Sequence, residues 1–340
     1  MKKLTMILSA FALTTSGFTV QANPLVNVHL IELPAVGVSS VDASHEYVFF
    51  LEERGPKLKV AFKESVVEAF EKQKTNLPLK SVTLHGFPEA KKYVSWEAIA
   101  VSQDGKQAFL ISEDSEQGEY SLYQATIEYE ESVITLRLKD NPIWRGEGKI
   151  TEKSRTVRAL NKGGNHQRYD NWNHGFEALA FLEDRNKLFI AHETNFIAPS
   201  FVDLNSNESR QGLLSQHQFR ISDLTNFPQN GEQCMLGVSF CWNGDSSEIC
   251  KSSANESALH VFGMSIKNNN IKIEVQSDNL LEIIGTSKYN AEGIFLVGNH
   301  IYLVNDSSAP KGTISYLTRF DLDSFKKEQQ FSNWMQRCSN

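Results

Sequence analysis

The chain has 340 residues, with 34 Lys and Arg against 41 Asp and Glu, a formal charge of −7 at pH 7. That balance speaks against a nucleic-acid polymer or an anionic membrane as partner. Nine prolines, 10% aromatic residues and no low-complexity run mark an ordinary globular chain rather than a disordered one.

Residues 1–22 read MKKLTMILSAFALTTSGFTVQA. Two lysines precede an uncharged apolar run, and Val20-Gln21-Ala22 supplies a small-x-small cleavage pattern, so the segment reads as a secretory signal cut near Ala22. The run is short and broken by Thr and Ser, which disfavours an anchor, and no later stretch is long enough to span a bilayer. The expected product is a periplasmic or secreted monomer, residues 23–340, in one domain. Losing Lys2 and Lys3 takes its charge from −7 to −9.

Beyond the leader, a first apolar segment, VNVHLIEL, spans Val26 to Leu33. Then SSVDASHEYVFFLEER begins at Ser39, followed by a helix candidate from Val66 to Lys74. WEAIAVSQDGKQAFLISEDS starts at Trp96, and FEALAFLEDRNKLFIAHETN starts at Phe176, after an insertion over Lys149–His174. VSFCWNGDSSEI follows from Val238, and AEGIFLVGNHIYLVNDSS from Ala291. A second helix candidate lies over Ser324–Gln336.

The clearest of these copies read Glu, a small residue, an apolar strand, a polar turn, a second strand, then an acid or amide. Further strand pairs, such as YSLYQATIEYEESVITLRLKD, follow them. That is one four-stranded antiparallel blade per copy, and the fold class expected is an all-β propeller. Copies begin at Ser39, Glu97, Glu177, Ser239 and Glu292, at intervals of 58, 80, 62 and 53 residues, which gives five blades. A sixth is possible if Lys149–Asn171 hides a degenerate copy. The last copy supplies three strands, and Val26–Leu33 is expected to complete it and close the ring, since an open array would leave sheet edges unpaired.

All four cysteines, Cys234, Cys241, Cys250 and Cys338, follow the leader. Their spacings fit no zinc motif, so disulfides are expected, in a pairing that spacing does not decide.

The first strand of a propeller blade lines the central channel and the second runs back. Ser39, Glu97, Glu177, Ser239 and Glu292 therefore surround one channel mouth. Glu53, Asp114, Glu193 and Asp306 fall 14, 17, 16 and 14 residues later, on the same face and further out. Three carboxylates facing one axis repel one another and call for a cation or for protons. Carboxylate and hydroxyl oxygens without His suit Ca²⁺. A lone Glu would more often cap a strand or pair with Lys or Arg; three at equivalent positions favour a metal.

The order Ser, Glu, Glu, Ser, Glu around five blades resembles the calcium-activated nucleotidases (apyrases). That resemblance implies a central Ca²⁺ on Ser39, Glu97, Glu177, Ser239 and Glu292. WEAIAVSQDG, WNHGFEALAF and AEGIFLV equally resemble the phytase-like propellers (the esterase-like activity of phytase family). The nucleotidases carry an acidic segment ahead of their first blade that is missing here. No P-loop, Gly-x-Ser-x-Gly or His-Glu-x-x-His motif occurs.

The leading expectation is a Ca²⁺-dependent hydrolase of phosphate esters or anhydrides. Glu53, Asp114, Glu193, Asp306 and His174 are the candidate catalytic groups. Arg54, Arg145, Asn173 and His192 are candidates for holding a small anionic substrate. The alternatives are a calcium-stabilised, non-catalytic platform with an unidentified surface partner, and a metal-dependent lactonase using Glu97, Glu177, Asn195 and Asp306.

Overall fold

A computed structural model describes residues 28–53, 57–87, 94–114, 119–147, 176–192, 198–214, 220–227, 233–241, 257–267, 270–284, 290–306, 314–325 and 329–339. The signal segment, and the insertion over Lys149–His174, lie outside the described residues.

Five sheets form a ring, each a blade built around antiparallel strands. Blade 1 runs Val38–Ala43, Tyr47–Glu52, Lys57–Phe62 and Lys80–Ser81 from the axis outward. Blade 2 runs Val94–Val101, Gln107–Asp114, Glu119–Glu130 and Val133–Leu138. It gains Thr83–His85, parallel at its outer edge, and Trp144–Glu147 beside its third strand. Blade 3 runs Phe176–Leu182, Lys187–His192, Ser200–Asp203 and Ser209–Gln211. Blade 4 runs Asp223–Phe227, Gln233–Cys241, Ala258–Lys267 and Asn270–Gln276, with Leu213–Leu214 added in parallel.

Blade 5 runs Asn290–Val297, His300–Asp306 and Ser315–Asp321, and its fourth strand is Ile31–Leu33. Ile31 pairs with Leu317 and Leu33 with Ser315. The ring is thus closed by the start of the chain, as expected, in five blades.

Why these segments become blades follows from alternation. A strand between two blades buries both faces, so it reads as a continuous apolar run. In Tyr47–Glu52, Val48 and Phe50 pack towards blade 5, whereas Phe49 and Leu51 pack towards blade 2. Each interface between blades carries its own apolar cluster, five in all. Each fully buried Phe or Leu contributes about 1.5–3 kcal/mol relative to an exposed one. The helix Lys63–Glu71 buries Val66, Ala69 and Phe70, and the ring of Phe70 meets Tyr302 edge-on at 5.5 Å.

Blade 4 corrects the sequence reading. Its inner strand is Asp223–Phe227, and Val238 and Ser239 lie on the second strand, where Val238 pairs with Asp223. The segment from Val238 resembled an inner strand because second strands are equally apolar.

Cys234 bonds Cys338 over a separation of 104 residues, pinning the terminal helix Gln329–Ser339 to blade 4. Cys241 is also disulfide-bonded, its partner lying outside the described residues. Among the described residues, no helix is long and apolar enough to cross a membrane.

Candidate functional site

Four inner strands share one irregularity near their start. Pairing steps from Val38↔Glu52 to Ser40↔Leu51 in blade 1, and from Trp96↔Ser112 to Ala98↔Ile111 in blade 2. It steps from Phe176↔His192 to Ala178↔Ala191 in blade 3, and from Ala291↔Asn305 to Gly293↔Val304 in blade 5. The residues passed over are Ser39, Glu97, Glu177 and Glu292. Each occupies a β-bulge, a device that re-aims a side chain without ending the sheet.

In blade 4 the equivalent residue is Ser222. It directly precedes Asp223, as Glu97 precedes Ala98, and its backbone N–H donates to Val238 O at 2.9 Å. The order around the mouth is therefore Ser39, Glu97, Glu177, Ser222, Glu292, with Ser222 at the place expected for Ser239.

The carboxylates sense one another. Burial pushes the Glu97 carboxyl up to about 8, and Glu113, Glu53 and Glu292 push in the same direction. Burial raises Glu177 well above the usual carboxylate range, with Glu97 and Glu292 adding to it and Arg220 opposing. Local donors also engage the ring. Ser95 Oγ donates to Glu97 Oε1, and Asn290 Nδ2 donates to Glu292 Oε1 at 2.6 Å. Ser39 Oγ donates to Trp96 O of the next blade at 2.6 Å. Among the described residues, no three His, Cys, Asp or Glu side chains gather tightly enough to hold one ion. The mouth is a ring of acids, of which Glu97 and Glu177 are held up by burial and by their acidic neighbours.

A second tier lies on the second strands, opposite the bulges: Glu52, Ser112, His192, Ser239 and Asn305, all buried. Ser239 Oγ is buried there without a hydrogen-bond partner. The ring of His192 packs edge-on against Phe176 at 5.1 Å, and Tyr120 meets Phe176 at 5.2 Å. The Tyr120 hydroxyl is pushed up, chiefly by burial and then by Glu113, to which it also hydrogen-bonds.

Of the other expected residues, Glu53 lies just past the second strand of blade 1, within electrostatic reach of Glu97. Asp114 and Asp306 end the second strands of blades 2 and 5, paired with Val94 and Asn290. Arg145 is exposed on the added strand of blade 2, paired with Ser121. Arg54, Asn173, His174, Glu193 and Asn195 lie outside the described residues.

Sequence reasoning passed over Glu113, Tyr120, Arg220 and Ser222. Glu113 was within reach, because it follows Glu97 by the 16 residues that separate Glu193 from Glu177. Arg220 carries no repeat signal of its own.

Fold and site together define a five-bladed β-propeller with an acidic ring of bulge residues at one channel mouth. No family model matches the chain, and no curated protein does. Among solved structures, it is similar to a glycosyl hydrolase from Bacteroides ovatus, at 11% identity over 86% of this chain and 86% of that one, with a TM-score of 0.45. An exo-inulinase from Aspergillus awamori matches at 10% identity over 87% of this chain and 63% of that one, TM-score 0.45. The hydrazine synthase of Kuenenia stuttgartiensis matches at 10% identity over 89% of this chain and 66% of that one, TM-score 0.36. These likenesses speak to the fold alone.

Proposed function

We propose that the chain is a secreted propeller that binds Ca²⁺ at this mouth and hydrolyses a phosphate ester or anhydride there. The observation that carries the reading is the placing of Glu97, Glu177 and Glu292 on equivalent bulges, where burial and the neighbouring acids disfavour the charged forms of Glu97 and Glu177. A divalent cation replaces the protons that such a ring otherwise retains. The donor set is all oxygen, which suits a hard ion that accepts six to eight ligands and keeps waters. Water would complete the shell of an ion held there.

Glu97, Glu177 and Glu292 would hold the ion, with the Ser39 and Ser222 hydroxyl oxygens beside them. When bound, Ca²⁺ polarises a phosphoryl oxygen and orients a water. Glu113 and Glu53 are placed to accept a proton at the rim, and Arg220 to attract an anionic substrate. The hydrophobic wall of Phe176 and Tyr120 excludes water from one side. A non-catalytic, calcium-stabilised platform is the second reading. It is favoured by the lack of a closed ligand cage among the described residues.

The test is direct. Metal content and Tb³⁺ luminescence are measured on the mature protein. Nucleotides, phytate, simple phosphate esters and lactones are then assayed with Ca²⁺ and with EDTA. Turnover lost in EDTA and in Glu177→Gln supports the hydrolase. Ion binding that only raises Tm, without turnover, supports the platform. Lactone turnover alone points to the lactonase. No ion bound at all refutes the metal reading.

A further inference from the structure

A second cleft lies on the opposite face of the disc. Inner strands run from the acidic mouth to this face, where the turns Ser44–Tyr47 of blade 1 and Ser102–Gln107 of blade 2 emerge. His45 N donates to Gln103 O at 2.7 Å and joins the two turns. Between them is a cleft of about 510 Å³, lined by both turns and by Tyr129. That volume accommodates one or two sugar rings.

Its wall is an aromatic ladder. Phe62 lies 4.7 Å from Tyr47, and Tyr47 stacks on Tyr129 at 5.2 Å with 20° between planes. Tyr47 is therefore in ring contact with both neighbours. Tyr129 is fixed by its hydroxyl, which donates to Gly105 O at 2.9 Å, yet it stays 41% exposed. One flat ring face is thus held rigidly and left to solvent. Around it stand His45, Glu46 and Gln103, planar polar side chains that line the cleft. Burial pushes the Tyr47 and Tyr129 hydroxyls up, and Glu46 is near enough to both to add to it.

We propose that this cleft is a saccharide-binding site. A neutral pyranose lays its C–H face on Tyr129, and its hydroxyls bond the imidazole of His45, the carboxylate of Glu46 and the amide of Gln103. Sugars pair apolar C–H surface with dense donors and acceptors, and a rigid amphipathic ring flanked by planar polar groups matches both. Competing ligands fit less well. An organic ammonium ion needs several ring faces around it, and one is offered. An anion meets Glu46 and Asp104. Asp104 is already engaged, accepting from Ser102 Oγ at 2.7 Å and Lys106 N at 3.0 Å, with Lys106 Nζ at 3.8 Å.

The site is independent of the acidic mouth, and so is its test. The intact mature protein is titrated with methyl glucopyranosides, galactopyranosides and mannopyranosides and with their disaccharides, by saturation-transfer NMR and tyrosine fluorescence. At least one is expected to saturate with a dissociation constant of about 1 mM. Tyr129→Ala should weaken it about tenfold or more, whereas Tyr129→Phe, which keeps the ring face and loses only the hydroxyl's bond to Gly105 O, should weaken it less than Tyr129→Ala does. Binding should be unchanged by EDTA and by Glu177→Gln. The proposal is overturned if no saccharide binds, if Tyr129→Ala binds as tightly as the parent, or if tetramethylammonium occupies the cleft while sugars do not.

Discussion

Ser40 of blade 1 donates its hydroxyl to Asp223 of blade 4 at 3.2 Å, although these two blades are not neighbours in the ring. The same carboxylate accepts the backbone N–H of Ile294 at 3.0 Å and of Val41 at 3.5 Å. Ser40 Oγ in turn accepts from Ile99 N at 3.2 Å. One fully buried acid therefore ties blades 1, 4 and 5 together, and blade 2 through Ser40. Asp223→Ala strands these donors and is expected to cost about 3 kcal/mol or more. Asp223→Asn keeps one acceptor and should cost less. Urea unfolding decides it, and an alanine variant as stable as the parent contradicts the clamp.

The acidic ring sets a pH signature. The folded chain holds a proton on Glu97 up to about pH 8, which the unfolded chain gives up near its usual value of 4.5. The stability this confers is fully present below about pH 4.5 and is lost as pH rises through about 8. The Tm in EDTA should therefore fall across that window, and saturating Ca²⁺ should shrink the fall. Calcium affinity should rise with pH over the same range, since protons compete with the ion. Flat profiles in EDTA would remove the support for a protonated ring.

Glu113 separates electrostatics from architecture. Its charge is the largest electrostatic contribution pushing Glu97 up. In Glu113→Gln, the Glu97 carboxyl should titrate closer to the usual carboxylate range. Carbon-detected NMR of the Glu carboxyls follows this site by site. A Glu97 titration that does not move places Glu113 outside its electrostatic reach.

Ring closure depends on few residues. Leu33 is fully buried in the closing strand, and Leu33→Ala should cost about 2–4 kcal/mol. A chain starting at Pro34 leaves the outer edge of Ser315–Asp321 unpaired and should aggregate on concentration. Light scattering beside thermal melts measures both, and a monomeric truncated chain with unchanged Tm would show that closure is dispensable.

The disulfide between Cys234 and Cys338 acts from the rim. Its helix lays Trp334 over Gly263, where an added Cβ would come within 2.6 Å of the indole. Cys338→Ser should lower stability by about 2–4 kcal/mol and leave ion binding at the mouth unchanged, as read by Tb³⁺ luminescence. Loss of ion binding in the folded variant would tie the helix to the site.

What could be read from the sequence was whatever the repeat wrote in side chains. Glu97, Glu177 and Glu292 each precede a small residue and an apolar run, so they align by eye. The closing strand was legible because a three-stranded last blade needs a fourth. Blade 4 was not, because its inner strand, DLTNF, is short, polar and without a leading Glu, whereas its second strand is long and apolar. That is why Ser239 stood in for Ser222. Glu113 was missed beside Asp114 for a different reason: two acids follow one another at the end of that strand, and spacing alone does not choose between neighbours one residue apart.

The closing strand also fixes an order of events. Ile31 and its partner Leu317 lie 286 residues apart in the sequence. Each of blades 1 to 4 is built around strands that follow one another along the chain, while the fifth has to bring distant segments together. Until that contact forms, the outer edge of Ser315–Asp321 is an open seam. Loop-closure entropy makes such a long-range pairing a late event in folding, so the ring locks after its blades have formed.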